Sequence, residues 1–196
     1  MADTAKPTFY FKDPIAKDPR KSFSGKYSLE EAGEFLYPAM SRGLNVFHLL
    51  GKAMAETTMG KENWQNPLHV DYKQHIARMP ENFDELPEDQ KRDISIGAGA
   101  DFFKEKMNKY GGNLVNAAQA YNGMGRLGPG TEPGVYEGNV KSWFGTGKRR
   151  INAGVEKPHG KRVASFANAL EGNQELRDYL SSMINPKEDR YWEQGK

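Results

Sequence analysis

Glu56 is the residue of this chain best placed to do chemistry. It ends the apolar run Leu44-Asn45-Val46-Phe47-His48-Leu49-Leu50-Gly51-Lys52-Ala53-Met54-Ala55-Glu56, and Thr57, Thr58 and Gly60 follow it. At about 100° per residue along a helix, Leu49 and Ala53 share its side, and Phe47, Leu50 and Met54 continue that arc. Asn45, His48 and Lys52 form the other flank. A carboxyl at the border of a buried and a wet stripe loses enough water to keep its proton near neutral pH, as a general acid must. Lys52 works against this. Four residues before Glu56, it can form an ion pair worth a few tenths of a kcal/mol, which would lower the carboxyl pKa.

Other residues extend the constellation. Asp71 is a candidate second carboxylate, or an Asx-turn residue of its loop; Glu62 is the rival carboxylate. His69 and His75 lie six residues apart with no cysteine beside them, so no metal and no cofactor is expected. Tyr121-Asn122-Gly123 reads as a pair of site residues, or as a buried aromatic followed by a helix stop. Lys148-Arg149-Arg150 reads as a solvated charged face.

The elements that must position these residues are mostly helices. Residues 1–24, with Pro7, Pro14 and Pro19, read as an extended arm that Phe9, Tyr10 and Phe11 tack to the surface. Residues 25–196 read as one domain. Ser28-Leu29-Glu30-Glu31 is a capping box opening a helix to about Met40. After the Glu56 helix, residues 61–87 form a long irregular stretch with room for a small β-hairpin. A helix returns from about Glu88 to Tyr110, and its Gly97-Ala98-Gly99-Ala100 suggests close packing on another helix. Asn113 caps a short helix to Asn122, and residues 123–134 form a glycine- and proline-rich loop. Helical spacing recurs over about Val135–Phe144, Gly160–Leu170 and Asn173–Ile184.

The bulk numbers narrow the function classes. The 196 residues suffice for a sizeable core, and 37% hydrophobic against 28% charged residues describes an ordinary globular protein. A net charge of +2 falls short of a nucleic-acid footprint but suits an acidic polymer such as a bacterial wall. With no cysteine, disulfides and cysteine nucleophiles are excluded. No run approaches the ~20 apolar residues of a membrane span. No secretory signal is visible in the first 22 residues, so synthesis in the cytoplasm is expected.

The order of the parts resembles the lysozyme-like superfamily of goose-type lysozymes and soluble lytic transglycosylases. Glu56-Thr57-Thr58-Met59-Gly60-Lys61 is similar to the goose-type Glu-Ser-His-Ala-Gly-Lys, and His69-Val70-Asp71-Tyr72-Lys73-Gln74-His75 to Gln-Val-Asp-Lys-Arg-Ser-His. Ala120-Tyr121-Asn122-Gly123 and Tyr136-Glu137-Gly138-Asn139-Val140 follow in the family's order, so the likeness spans roughly Leu44 to Val140. Asn66-Pro67-Leu68-His69 replaces the family's Gly-Leu-Met-Gln. The resemblance implies a lysozyme-like helical domain and a cleft lined by Tyr121 and Asn122. In it Thr57, His69 and His75 would donate hydrogen bonds to sugar or carboxylate.

It further implies a muramidase that cleaves the β-1,4 bond between N-acetylmuramic acid and N-acetylglucosamine. Glu56 would protonate the leaving oxygen, while Asp71 activates water from ~6.5–9.5 Å away. In a lytic transglycosylase the sugar's own C6 hydroxyl would attack and Glu56 would act alone. A non-catalytic wall-binding module is the alternative from another class. The expected partners are peptidoglycan strands and, for an antibacterial effector, an inhibitor (immunity) protein plugging the cleft. Neither nucleic acid nor membrane insertion is expected. The site of action would be the periplasm or wall, reached by signal-independent delivery or phage-mediated release.

Overall fold

The computed structural model describes residues 6–16, 22–72, 75, 78–122 and 159–184. The loop expected at 123–134, the helix expected at about 135–144 and the Tyr136–Val140 element lie outside them. The described residues are mostly helical, with one two-stranded antiparallel sheet. None of their helices is long and apolar enough to cross a membrane.

The sheet lies in the N-terminal arm. Strand β1 (Thr8–Phe11) pairs with β2 (Gly25–Ser28), placing Phe9 opposite Tyr27 and Phe11 opposite Gly25. Burial alternates along β1, so Phe9 and Phe11 enter the core while Tyr10 faces solvent. These rings therefore do more than tack an arm to a surface: Phe11 meets Phe166 edge-on at 5.4 Å. Asp13 ties both sides of the strand connection together. Its carboxylate accepts from the backbone N–H groups of Ile15, Ala16 and Phe23.

Ser28 caps as its capping box predicts, its hydroxyl accepting from the Glu31 N–H. The single helix expected to Met40 is instead two, α1 (Leu29–Gly33) and α2 (Leu36–Met40). Pro38 has no N–H to give the carbonyl of residue 34, which accounts for the break. Helix α3 (Val46–Thr57) starts at Asn45, whose side chain accepts from the Phe47 N–H at 2.8 Å. Helix α4 (Glu88–Lys109) and α5 (Leu114–Tyr121) follow, the latter capped by Asn113 as expected. Beyond them come α6 (His159–Glu171) and α7 (Gln174–Met183). Asn173 caps α7 and also donates from Nδ2 to the Tyr10 carbonyl on β1.

Helix α3 packs chiefly on α6, α6 on α5, and α5 on α4. Phe35, Phe47, Leu50, Met54, Ile96, Phe103 and Phe166 fill the core among them. This burial corrects the two-faced picture of α3. Ten of its twelve residues are buried, Lys52 among them, so no wet flank runs beside Glu56.

Between α3 and α4 there is no strand among the described residues, only a 3₁₀ turn at Phe83–Glu85. The hairpin is absent there because local side chains satisfy the backbone instead. Asn66 both donates to the Val70 carbonyl and accepts from the Val70 N–H, at 2.9 and 2.8 Å. Gly99 of α4 also serves a different neighbour from the one expected. A Cβ on Gly99 would come within 2.6 Å of the Leu68 side chain, so at this glycine the close packing is against the loop, while α4 also packs on the α5 helix.

Candidate active site

Glu56 lies in the last turn of α3, its side chain only 8% exposed. The helix then ends in an unusual way. Thr58, Met59 and Gly60 all take positive φ, at 56°, 57° and 93°. A β-branched residue in this region costs roughly 1–2 kcal/mol. The turn is held by the Met59 N–H, which reaches back to the Ala53 carbonyl at 3.1 Å. Thr57 is part of the same lock. It is buried, donates its hydroxyl to the Pro67 carbonyl at 2.7 Å and accepts from the Gly60 N–H. Its expected role as a sugar donor is corrected accordingly: Thr57 holds the loop to the helix end.

Three basic side chains converge on the Glu56 carboxyl. Lys52 Nζ donates to Oε1. His159 Nε2, from the first residue of α6, lies 2.9 Å from the same oxygen in ion-pair contact, off the line of a full hydrogen bond. His69 Nδ1 lies 3.5 Å from Oε2. His69 has φ 52°, and it sits in the loop that Asn66 folds and Gly99 admits.

Lys52 links this carboxyl to the end of α5. Its Nζ also donates to Asn122 Oδ1 at 2.8 Å and stands 4.0 Å from the centre of the Tyr121 ring. Tyr121 in turn donates its hydroxyl to the Leu68 carbonyl at 3.0 Å. Glu56, His69, Tyr121 and Asn122, four of the residues singled out from the sequence, thus come together around one buried ammonium. Helical spacing places Lys52 on the wet flank as an ion-pair partner of Glu56. It is instead fully buried, because a carboxylate, an amide oxygen and an aromatic face replace its water.

The electrostatics oppose the simple acid picture. Burial pushes the Glu56 pKa up, but the Lys52 charge and the contacts from His159 and His69 outweigh it. The carboxyl is held well below the usual range, contrary to the expectation of a proton retained near neutrality. Burial pushes Lys52 down to about 8, against the pull of Glu56. The bond to Glu56 raises His69, whereas burial lowers His159 despite its contact with the carboxylate.

The remaining candidates lie off this centre. Asp71 is exposed, and its charge helps raise His69 from the same loop. Its backbone carbonyl accepts from the His75 N–H. His75 is placed against Phe102, ring centres 4.3 Å apart, rather than against Glu56. Glu62 accepts from the Thr58 hydroxyl at 2.8 Å. Among the described residues no group of three histidine, cysteine or acidic side chains could hold a metal.

His159 was not singled out from the sequence. Its only advance signal is its place, at the head of a segment where Val163, Phe166 and Leu170 keep helical spacing. Gly160 beside it brings α6 close: its N–H donates to Gln119 Oε1 at 3.0 Å, and a Cβ there would fall 2.1 Å from the Val115 carbonyl oxygen. No protein-family model matches the chain, and neither a curated protein nor a solved structure matches it significantly.

Proposed function

We propose that the chain is a peptidoglycan glycoside hydrolase of lysozyme-like fold, a muramidase cleaving the β-1,4 bond between N-acetylmuramic acid and N-acetylglucosamine. The observation that carries this reading is the convergence of Glu56, His69, Tyr121 and Asn122 at the end of one buried helix. A single carboxylate fixed by Lys52 and flanked by two histidines is suited to face the oxocarbenium-like charge of glycosidic cleavage, and the proton it hands to the leaving oxygen must first reach it from a neighbour. Asp71, exposed in the adjoining loop, is the proposed base for the attacking water.

A lytic transglycosylase is the second reading. It is favoured by the same site, because a carboxyl with Lys52 donating to one oxygen and His69 beside the other can serve as acid and then as base. Digestion of purified wall followed by mass spectrometry separates the two. Reducing ends with an added water support the muramidase, and 1,6-anhydro ends as main product support the transglycosylase. Glu56→Gln is expected to abolish lysis, and a variant that still clears wall at the wild-type rate would rule Glu56 out. Binding of wall without release of any fragment by the wild-type protein would replace both readings with the binding module.

A further inference from the structure

The resting site leaves a question that the proposed chemistry must answer: where the proton of the acid comes from. Glu56 is held ionised, so it has no proton of its own to give. Lys52 does have one, and it already points at Oε1. It is the only buried lysine among the described residues, and its side chain is fully enclosed while that of Glu56 is 8% exposed.

We propose that Lys52 is the proton partner of Glu56: once a bound glycan displaces water from the carboxyl, the proton on Nζ passes to Oε1, and Glu56 hands it to the glycosidic oxygen. This rests on the glycosidase reading above. In the first transfer an N–H bond breaks and an O–H bond forms, leaving a neutral amine beside a neutral acid. In the second, the Glu56 O–H breaks as the leaving oxygen takes the proton together with the electron pair of the broken C–O bond. The attacking water adds its oxygen to the sugar and gives a proton to Asp71, which releases it to solvent; a solvent proton returns through Glu56 Oε1 to Lys52 Nζ, so the cycle consumes only the water of hydrolysis.

Three features of the geometry support the transfer. The donor and acceptor are directly bonded, so no water has to be ordered between them. Taking water away from a buried ion pair raises its cost relative to the neutral pair, which favours moving the proton across. Asn122 Oδ1 can accept from an amine as well as from an ammonium, so Lys52 keeps its orientation after the proton has left.

The other groups facing the pair are less suited to the role. His69 is 69% exposed and exchanges with solvent. His159 touches Oε1 but is kept largely neutral by burial. Arg162, on α6, acts on Glu56 through space, and Asp71 acts on His69. The Tyr121 hydroxyl is already committed to Leu68. Burial that brings Lys52 to about 8 makes its proton cheaper to surrender than that of a solvated lysine.

The test is the pH profile of kcat on soluble peptidoglycan fragments for the full chain and two variants. Wild-type kcat should fall as pH rises through about 8, where Lys52 loses its proton. Lys52→Arg keeps the charge and the donors but cannot release a proton. It should lose about 100-fold in kcat, within the range of general acid catalysis, at an unchanged KM. Lys52→Met serves if the larger side chain unfolds the protein, and its alkaline limb should move at least about one pH unit lower, toward the range of a carboxyl drawing its proton from solvent.

A wild-type profile without that limb overturns the proposal. So does a Lys52→Arg that turns over at the wild-type rate, or a Lys52→Met that keeps the wild-type limb. Glu56→Gln separates the two levels. If it retains activity, the glycosidase site itself is misassigned; if it is inactive while the Lys52 variants turn over normally, only the proton partner is wrong.

Discussion

Replacing Gly160 with alanine tests whether the helix carrying His159 is seated by a close approach to α5. A Cβ at this position would stand 2.1 Å from the Val115 carbonyl oxygen, and real Cβ atoms do not come within 3.0 Å of such neighbours. The first turn of α6 must therefore retreat by at least about 0.9 Å, the overpacking regime that costs ~1–3 kcal/mol. The same movement stretches the bond from the Gly160 N–H to Gln119 Oε1, now 3.0 Å, worth a further ~0.5–1.5 kcal/mol. Alanine returns up to ~1 kcal/mol in helix propensity, and less than that at a helix start. Midpoints of about 2 and 1 kcal/mol, less about 0.5, give a net cost of about 2–3 kcal/mol, which in a chain of this size lowers Tm by roughly 4–12 °C. Thermal unfolding followed by far-UV circular dichroism reads that shift directly. Glycan cleavage should fall as well, because His159 withdraws from Glu56 Oε1. A Gly160→Ala protein melting within 1 °C of wild type (well below the roughly 4 °C floor just given) would refute the argument that this glycine seats α6.

Three other substitutions probe the rest of the frame. Glu56→Gln leaves the Lys52 ammonium buried without its counter-ion and should destabilise by about 2–4 kcal/mol near pH 6. Glu56 is what holds the Lys52 pKa up to about 8, so the variant's lysine loses its proton at lower pH. The variant then gains stability as pH rises toward 8 while the wild type does not, and the deficit should shrink between about pH 6 and 8 and stay level from about 8 to 10, where both unfolded chains bind the extra proton. Urea unfolding of both proteins across that range checks the sign. Thr58→Asn should raise stability by about 0.5–1 kcal/mol, because asparagine tolerates the left-handed conformation better than a β-branched residue; a lower urea midpoint would contradict this. Asp13→Ala removes the acceptor of three backbone N–H groups and should cost about 2–4 kcal/mol. Limited proteolysis should then cut ahead of β2, and an uncut arm would show that the strand pair holds without its clasp.

Helices α3 and α5 were legible because their signals are local. Asn113 announces α5 as its cap, and the apolar spacing within each run marks its helix; Asn45, read as one flank of α3, is its cap instead. The β1 strand was not read: Pro7, Pro14 and Pro19 favoured an extended arm tacked down by Phe9, Tyr10 and Phe11, and its pairing with β2 has no local signal. The hydrophobic pattern misleads at Lys52. Periodicity assigns a charged residue to water, whereas here the compensating groups come from residues 56, 121 and 122, two of them about seventy positions away. His159 is a stronger case of the same limit. What brings it to Glu56 is the packing of α6 on α3, and spacing within either segment carries no record of it. The lowering of the Glu56 pKa comes chiefly from Lys52, four residues earlier, as the i,i+4 spacing anticipates; only the added contacts from His159 and His69 were out of reach of the sequence.

The bond from Asn173 to the Tyr10 carbonyl joins positions 163 apart, and Phe11 likewise rests on Phe166. A ribosome delivers the first strand long before either partner exists. Tyr27 can cover Phe9 and one side of Phe11 early, but the face of Phe11 that meets Phe166 must wait until α6 has cleared the exit tunnel. The basic group that α6 brings to Glu56 arrives equally late. A nascent or prematurely terminated chain therefore carries the Glu56 helix without its finished surroundings. Completion of the fold and completion of the site become one event, set by the arrival of α6.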